Sequence, residues 1–131
     1  MTMSAEIALD TSVVIQIFDN DPDVRKRFVN IETVWMPVPV IAEIAVGFSD
    51  TNPHNSQKSD FEQFVSSMKV IDCTSEVALK YGEIHRYLRS KGAMIPINDI
   101  WIAACCITAG KPLATRDTHF QRIPDLTVEM W

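Results

Sequence analysis

The sequence predicts an α/β fold, a parallel sheet of four to five strands covered by helices on both faces. Three observations carry this. Short apolar runs at 6–9, 34–38 and 69–72, and again at 113–115, have strand length, and segments of helical spacing separate them. Strands that alternate with helices pair in parallel through crossovers. The runs are close to continuously apolar rather than alternating, as in strands buried on both faces.

Each element has its own signal. Residues 6–9 form strand one. The apolar stretch 12–18 starts at a capping residue and reads as a helix. Asp21-Pro22 opens a second helix in the favoured order, cap then proline. Residues 34–38 are β-rich and close at prolines, giving strand two. In 40–48, Ile41, Ile44, Ala45 and Phe48 recur at helical spacing. The polar, breaker-rich stretch 50–58 reads as a surface loop. Ser59-Asp60-Phe61-Glu62 has the form of a capping box, and Phe61, Phe64, Val65 and Met68 mark one face of the helix behind it. Residues 69–72 form strand three. Thr74 or Ser75 caps a long helix striped by Val77, Tyr81, Ile84 and Leu88 and closed by Gly92. Its outer face offers the pairs Glu76–Lys80 and Glu83–Arg86. Asn98 is expected to cap the helix 99–109, which Gly110 ends. Residues 113–115 form strand four, and 126–129 a fifth.

A chain of 131 residues with 47% apolar and 22% charged residues fits one globular domain, 1–131. Low-complexity disorder is excluded. The longest uncharged run, 100–110, is too short for a membrane span, and residues 1–9 lack the basic start of a secretory signal. Cys73, Cys105 and Cys106 are odd in number and lack metal-ligand spacing, so they read as reduced core thiols of a cytoplasmic protein. Twelve basic residues against seventeen acidic ones give a net charge of −5, which argues against a general nucleic-acid coat protein.

Four acids stand apart from the rest. Glu43 is the only charge in 34–48, Asp99 the only one in 92–110, and Asp10 the only one between Glu6 and Asp19. An unpaired carboxylate in an apolar segment calls for a hydrogen bond, a counter-charge or a metal. Asp10 ends strand one, and Glu43 sits one turn into the helix after strand two. Asp99 opens the helix leading to strand four, and Asp117 follows that strand. In a parallel sheet these places share one edge, where open α/β sheets bind ligands. Clustered carboxylates repel, and a divalent cation cancels the repulsion; oxygen ligands favour Mg²⁺ or Mn²⁺. Such an ion activates water and holds a phosphate for in-line attack. Taken singly, Asp10 and Asp99 also fit as helix-start acids and Asp117 as loop chemistry. If the four are only caps, the domain is a non-catalytic RNA-binding or protein-interaction module. Setting the four aside leaves thirteen acids against twelve bases, so the remainder of the chain is nearly neutral.

These residues lie in recognisable company. Ile7-Ala8-Leu9-Asp10-Thr11-Ser12-Val13-Val14 resembles the opening strand of PIN-domain ribonucleases, and Ile41-Ala42-Glu43-Ile44 their acidic helix. Tyr81-Gly82-Glu83-Ile84, Asn98-Asp99-Ile100-Trp101-Ile102-Ala103-Ala104 and Leu113-Ala114-Thr115-Arg116-Asp117 with His119-Phe120 are similar to VapC toxins of type II toxin–antitoxin modules. So is the ending Arg122-Ile123-Pro124-Asp125-Leu126. The resemblance implies a three-layer α/β/α PIN-like domain acting as a Mg²⁺- or Mn²⁺-dependent endoribonuclease, typically a homodimer, that leaves 5′-phosphate and 3′-hydroxyl ends. Its acid quartet falls on Asp10, Glu43, Asp99 and Asp117, with Ser12, Asn98 and Thr115 in support. It also implies a VapB-type antitoxin partner whose C-terminal segment blocks the site. Where many relatives carry a further acid, this chain has His119.

Other chemistries lack their motifs. There is no serine elbow, Gly-rich phosphate loop or Walker lysine, and His54, His85 and His119 have no metal-ligand spacing. A receiver-like domain would need paired N-terminal acids. Arg116, beside Asp117, and His119 are possible substrate contacts. Arg25-Lys26-Arg27 reads as a solvated helix face, and Trp35, Trp101 and Trp131 as core or interface residues.

Overall fold

The computed structural model describes residues 5–48 and 56–131. Its elements run β1 (Glu6–Leu9), α1 (Thr11–Phe18), α2 (Pro22–Phe28), β2 (Thr33–Pro37), α3 (Val38–Val46), α4 (Gln57–Ser66), β3 (Lys69–Ile71), α5 (Ser75–Ser90), α6 (Ile97–Ala109), β4 (Leu113–Thr115), a 3₁₀ turn (Thr118–Arg122) and β5 (Val128–Met130). Most of the expected 50–58 loop, His54 included, lies outside the described residues.

The five strands form one sheet in the order β3-β2-β1-β4-β5, every neighbouring pair parallel. Successive crossovers step one way from β1 to β3, then reverse across β1 to reach β4. The strand order therefore has its switch point between β1 and β4, where open α/β sheets offer a crevice at the carboxyl ends of the strands. Leu9 pairs with Ala114, so Asp10 and Thr115 leave the sheet side by side.

Burial explains the continuous apolar strands. Ile7, Ala8, Leu9, Leu113 and Ala114 are fully buried, as are Ile100 and 102–106 of α6. Phe18, Phe28, Phe48, Phe61 and Phe64 form a chain of ring contacts, with the Phe18 and Phe64 centroids 5.1 Å apart, that fastens α4 to α1 and α2. Tyr81 stacks on Trp101 at 4.2 Å, tying α5 to α6. Gly92 and Gly110 take φ of +60° and +66°, and Ala93 and Lys111 donate back to Leu88 and Cys106, closing α5 and α6 as Schellman turns.

Several local expectations are corrected. α6 begins at Ile97 behind Pro96, so Asn98 is inside the helix and caps nothing. α4 begins at Gln57, two residues before the expected capping box, and the Ser56 hydroxyl donates to Asp60 instead. On α5 the ion pair is Lys80–Glu83 at 2.7 Å. Cys105 and Cys106 are buried, but Cys73 is exposed, its sulfur 3.9 Å from that of Cys105. Tertiary position decides the place of Asn98, whereas the Lys80–Glu83 pair is a local one, three residues apart on α5.

Candidate active site

Asp10 follows the last residue of β1 and is 4% exposed. It stands at the N-cap of α1 but makes no side-chain cap bond. Its carboxylate faces the sheet edge instead. Oδ2 accepts from Ser12 Oγ at 2.8 Å and from Thr115 Oγ1 at 2.6 Å. Each hydroxyl gives its one proton to Asp10, so its lone pairs are left to accept. Ser12 Oγ takes the backbone N–H of Arg116 at 3.1 Å, and Thr115 Oγ1 that of Asp117 at 3.0 Å. Ser12 and Thr115 thus bind β1, α1 and the loop after β4 into one mesh.

Asp117 caps the 3₁₀ turn through Oδ1, which accepts the backbone N–H of His119 at 2.9 Å. The cap reading therefore holds for Asp117, alongside any other role. The imidazole Nδ1 of His119 lies 3.1 Å from the same oxygen.

Asp99 is on the first turn of α6 and half-buried. Its carboxyl group is pushed up to about 6, first by desolvation, then by the charges of Asp10, Asp117 and Glu43. No donor among the described residues hydrogen-bonds to it. Asp10 is also raised, chiefly by burial, with its hydroxyl partners working the other way and Glu43 adding a smaller upward push. A carboxylate kept half-buried beside three others, with no donor of its own, is short of positive charge.

Glu43 lies on α3 and is exposed. Asn98 donates to its Oε1 at 2.6 Å and to the carbonyl of Pro39 at 3.4 Å, joining α6 to α3. This is the tertiary use of the residue that local spacing assigns to a helix cap.

The expected residues therefore meet at the switch point. Ligating atoms of Asp99, Asp117 and His119 fall within 4.8 Å of one another. Asp10 and Glu43 stand outside that closest triple but near enough to raise Asp99. His119 is closer to the acids than a substrate-contact reading required. Its two-residue spacing from Asp117 is the signal that places it there. The donor set is carboxylate oxygen with one imidazole, which suits a hard divalent cation and not a thiolate-bound metal. Arg116 is exposed, with its backbone fixed to Ser12.

Comparison with known proteins agrees with this geometry. A model of the PIN domain matches residues 7–126. The chain is 30% identical over 130 residues to Ribonuclease VapC2 of Rickettsia felis, covering 94% of this chain and 96% of that protein. It is 29% identical to a tRNA(fMet)-specific endonuclease VapC of Salmonella typhimurium, with the same two coverages. Among solved structures it is similar to VapBC2 of Rickettsia felis bound to a promoter DNA fragment, with TM-score 0.84, 28% identity, and 96% and 98% of the two chains covered. The structure of VapBC-1 from nontypeable Haemophilus influenzae gives TM-score 0.85 at 25% identity, with the same two coverages.

Proposed function

The chain belongs to the PIN-domain family, alongside the VapC ribonucleases, and from that premise we propose that it is a single-domain, Mg²⁺- or Mn²⁺-dependent endoribonuclease toxin. The observation that carries this is the meeting of Asp10, Glu43, Asp99 and Asp117 at the β1–β4 switch point, with Asp99 raised to about 6. Asp10, Asp99 and Asp117 hold the cation, and Glu43 completes the set directly or through water. His119 lies where it can join the ligands or touch the substrate. The cation, when bound, supplies a Lewis acid that lowers the pKa of water and neutralises phosphate charge.

The protein's own groups do the rest. Ser12 and Thr115 aim Asp10 by giving it their hydroxyl protons. Asn98 holds Glu43 toward the cluster from α6. Arg116 offers a guanidinium to the substrate phosphate from the loop that carries Asp117. Attack of a water oxygen on the phosphorus breaks the P–O3′ bond, and the departing O3′ takes a proton, which leaves a 5′-phosphate and a 3′-hydroxyl.

The relatives' names and complexes support a toxin–antitoxin role. The partner of this chain is then a VapB-type antitoxin that blocks the acidic edge, and the toxin is a homodimer in the cytoplasm. Among the described residues no helix is long and apolar enough to cross a membrane. The non-catalytic alternative requires the acids to be caps, and Asp10 makes no cap bond.

Incubation of the purified protein with RNA, with Mg²⁺ or with EDTA, tests the reading. Cleavage is expected with Mg²⁺ only and is lost in Asp99→Asn. Cleavage that survives both EDTA and Asp99→Asn contradicts it.

A further inference from the structure

Beside the acidic edge lies a cavity of about 500 Å³ between α2 and the end of β5. Lys26, Arg27, Arg116 and Trp131 line it, with Asp21 and Asp23. Arg116 connects this cavity to the acids: it directly follows Thr115, which bonds Asp10, and directly precedes Asp117. The far wall is fixed to the same strand end, because the backbone N–H of Trp131 donates to the Thr115 carbonyl at 3.0 Å. Arg27 reaches across from α2 to the Met130 carbonyl at 3.4 Å.

Three cations and two carboxylates line the cavity. Asp21 is occupied as the cap of α2, its Oδ1 taking the N–H groups of Asp23 and Val24, both at 3.0 Å. No ion pair among the described residues includes Lys26, Arg27 or Arg116. Three cations, in no ion pair among the described residues, thus outnumber the two carboxylates of the cavity and stand beside a cluster of acids, in a chain of net charge −5.

We propose that this cavity is a subsite for the RNA strand next to the scissile bond. The inference rests on the nuclease reading above. Lys26, Arg27 and Arg116 take phosphate oxygens of the flanking nucleotides. A polyanion drawn toward an acidic, metal-loaded edge needs cations at its border, and these are the ones on that border. Two of the three residues of Arg25-Lys26-Arg27 therefore serve the cavity and not only a solvated face. Arg25 is taken up elsewhere, donating from Nε to the Ile17 carbonyl at 3.1 Å.

The test is binding of a labelled single-stranded RNA of about ten nucleotides, in EDTA so that it stays intact, measured by anisotropy across a salt series. On a single strand, each phosphate left without its cationic side chain lowers the slope of log affinity against log salt by about 0.7. Lys26→Gln/Arg27→Gln is expected to lower it by about 1.4, twice that increment, and to raise KM for cleavage more than it lowers kcat. Arg89→Gln, on the exposed end of α5, is expected to leave the slope unchanged. Unfolding midpoints equal to wild type accompany these results. A double variant with the wild-type slope, or an Arg89→Gln slope that falls as far, overturns the subsite while wild-type cleavage leaves the nuclease reading standing. Wild-type protein that neither binds nor cleaves RNA overturns both.

Discussion

Asp10 and Asp117 hang from the ends of β1 and β4, held by a mesh of hydroxyl and amide hydrogen bonds, whereas Glu43 and Asp99 ride on helices and are held to the cluster by little more than Asn98. The difference shows in their electrostatics. The burial that raises Asp10 is opposed by two hydroxyl hydrogen bonds, while no described residue donates to Asp99, which rises to about 6. The strand half of the site is built in advance. In the helix half Asp99 has no donor among the described residues, and under the proposed function a divalent cation is the group that satisfies it.

The comparison can be broken from the helix side first. Asp99→Asn removes a charge that the cation compensates under the proposed function, so cleavage should fall about 10³-fold, the scale of the several kcal/mol of Lewis-acid stabilisation. The metal-free variant should at the same time unfold at a higher temperature near neutral pH. That split between activity and stability separates a site acid from a structural one.

From the strand side, Thr115→Val keeps the shape but takes one donor from Asp10 and the acceptor from the Asp117 N–H. Metal affinity and cleavage should drop about 10–100-fold, and stability should fall by about 1–3 kcal/mol, measured by urea unfolding. Here both quantities move down together. Asn98→Ala frees an exposed Glu43, so the loss of cleavage should be about 10-fold, the low end of that range, and its effect on unfolding smaller than that of Thr115→Val.

The smallest expected effect is on pH dependence. The folded-state pKa of Asp99 lies above its ordinary value of 3.8, at about 6, so the folded protein holds more protons than the unfolded one between the two values. Metal-free stability from this group is therefore greatest below the lower value, is lost as pH rises toward the upper one, and is constant beyond it. Melting curves in EDTA should show that fall, and Asp99→Asn should flatten it. A cation competes with the same proton, so stabilisation by Mn²⁺ should be larger near pH 7 than near pH 5.

Much of this was legible because parallel topology fixes where strand ends go. Asp10 and Asp117 follow apolar runs too short to be anything but strands, and Glu43 and Asp99 are single charges in apolar helices. The alternation of elements places all four on one edge. What was not legible depends on partners far apart in sequence. Asn98 has cap chemistry by composition, and only the approach of α6 to α3 turns its amide to Glu43. Ser59 begins a plausible capping box, yet α4 starts at Gln57. Cys73 is apolar by type, but the turn after β3 leaves it exposed. The cavity joins α2 to β5, about a hundred residues apart in the chain, and no local pattern marks it.

Calorimetric titration of Mn²⁺ into the metal-free protein tests the central claim most directly. The wild type should bind with release of protons near pH 6, because Asp99 is half-protonated there, and Asp99→Asn should bind at least tenfold more weakly without that release. Equal affinity and equal proton release in the two proteins would contradict the assignment of the acidic edge as a divalent-cation site.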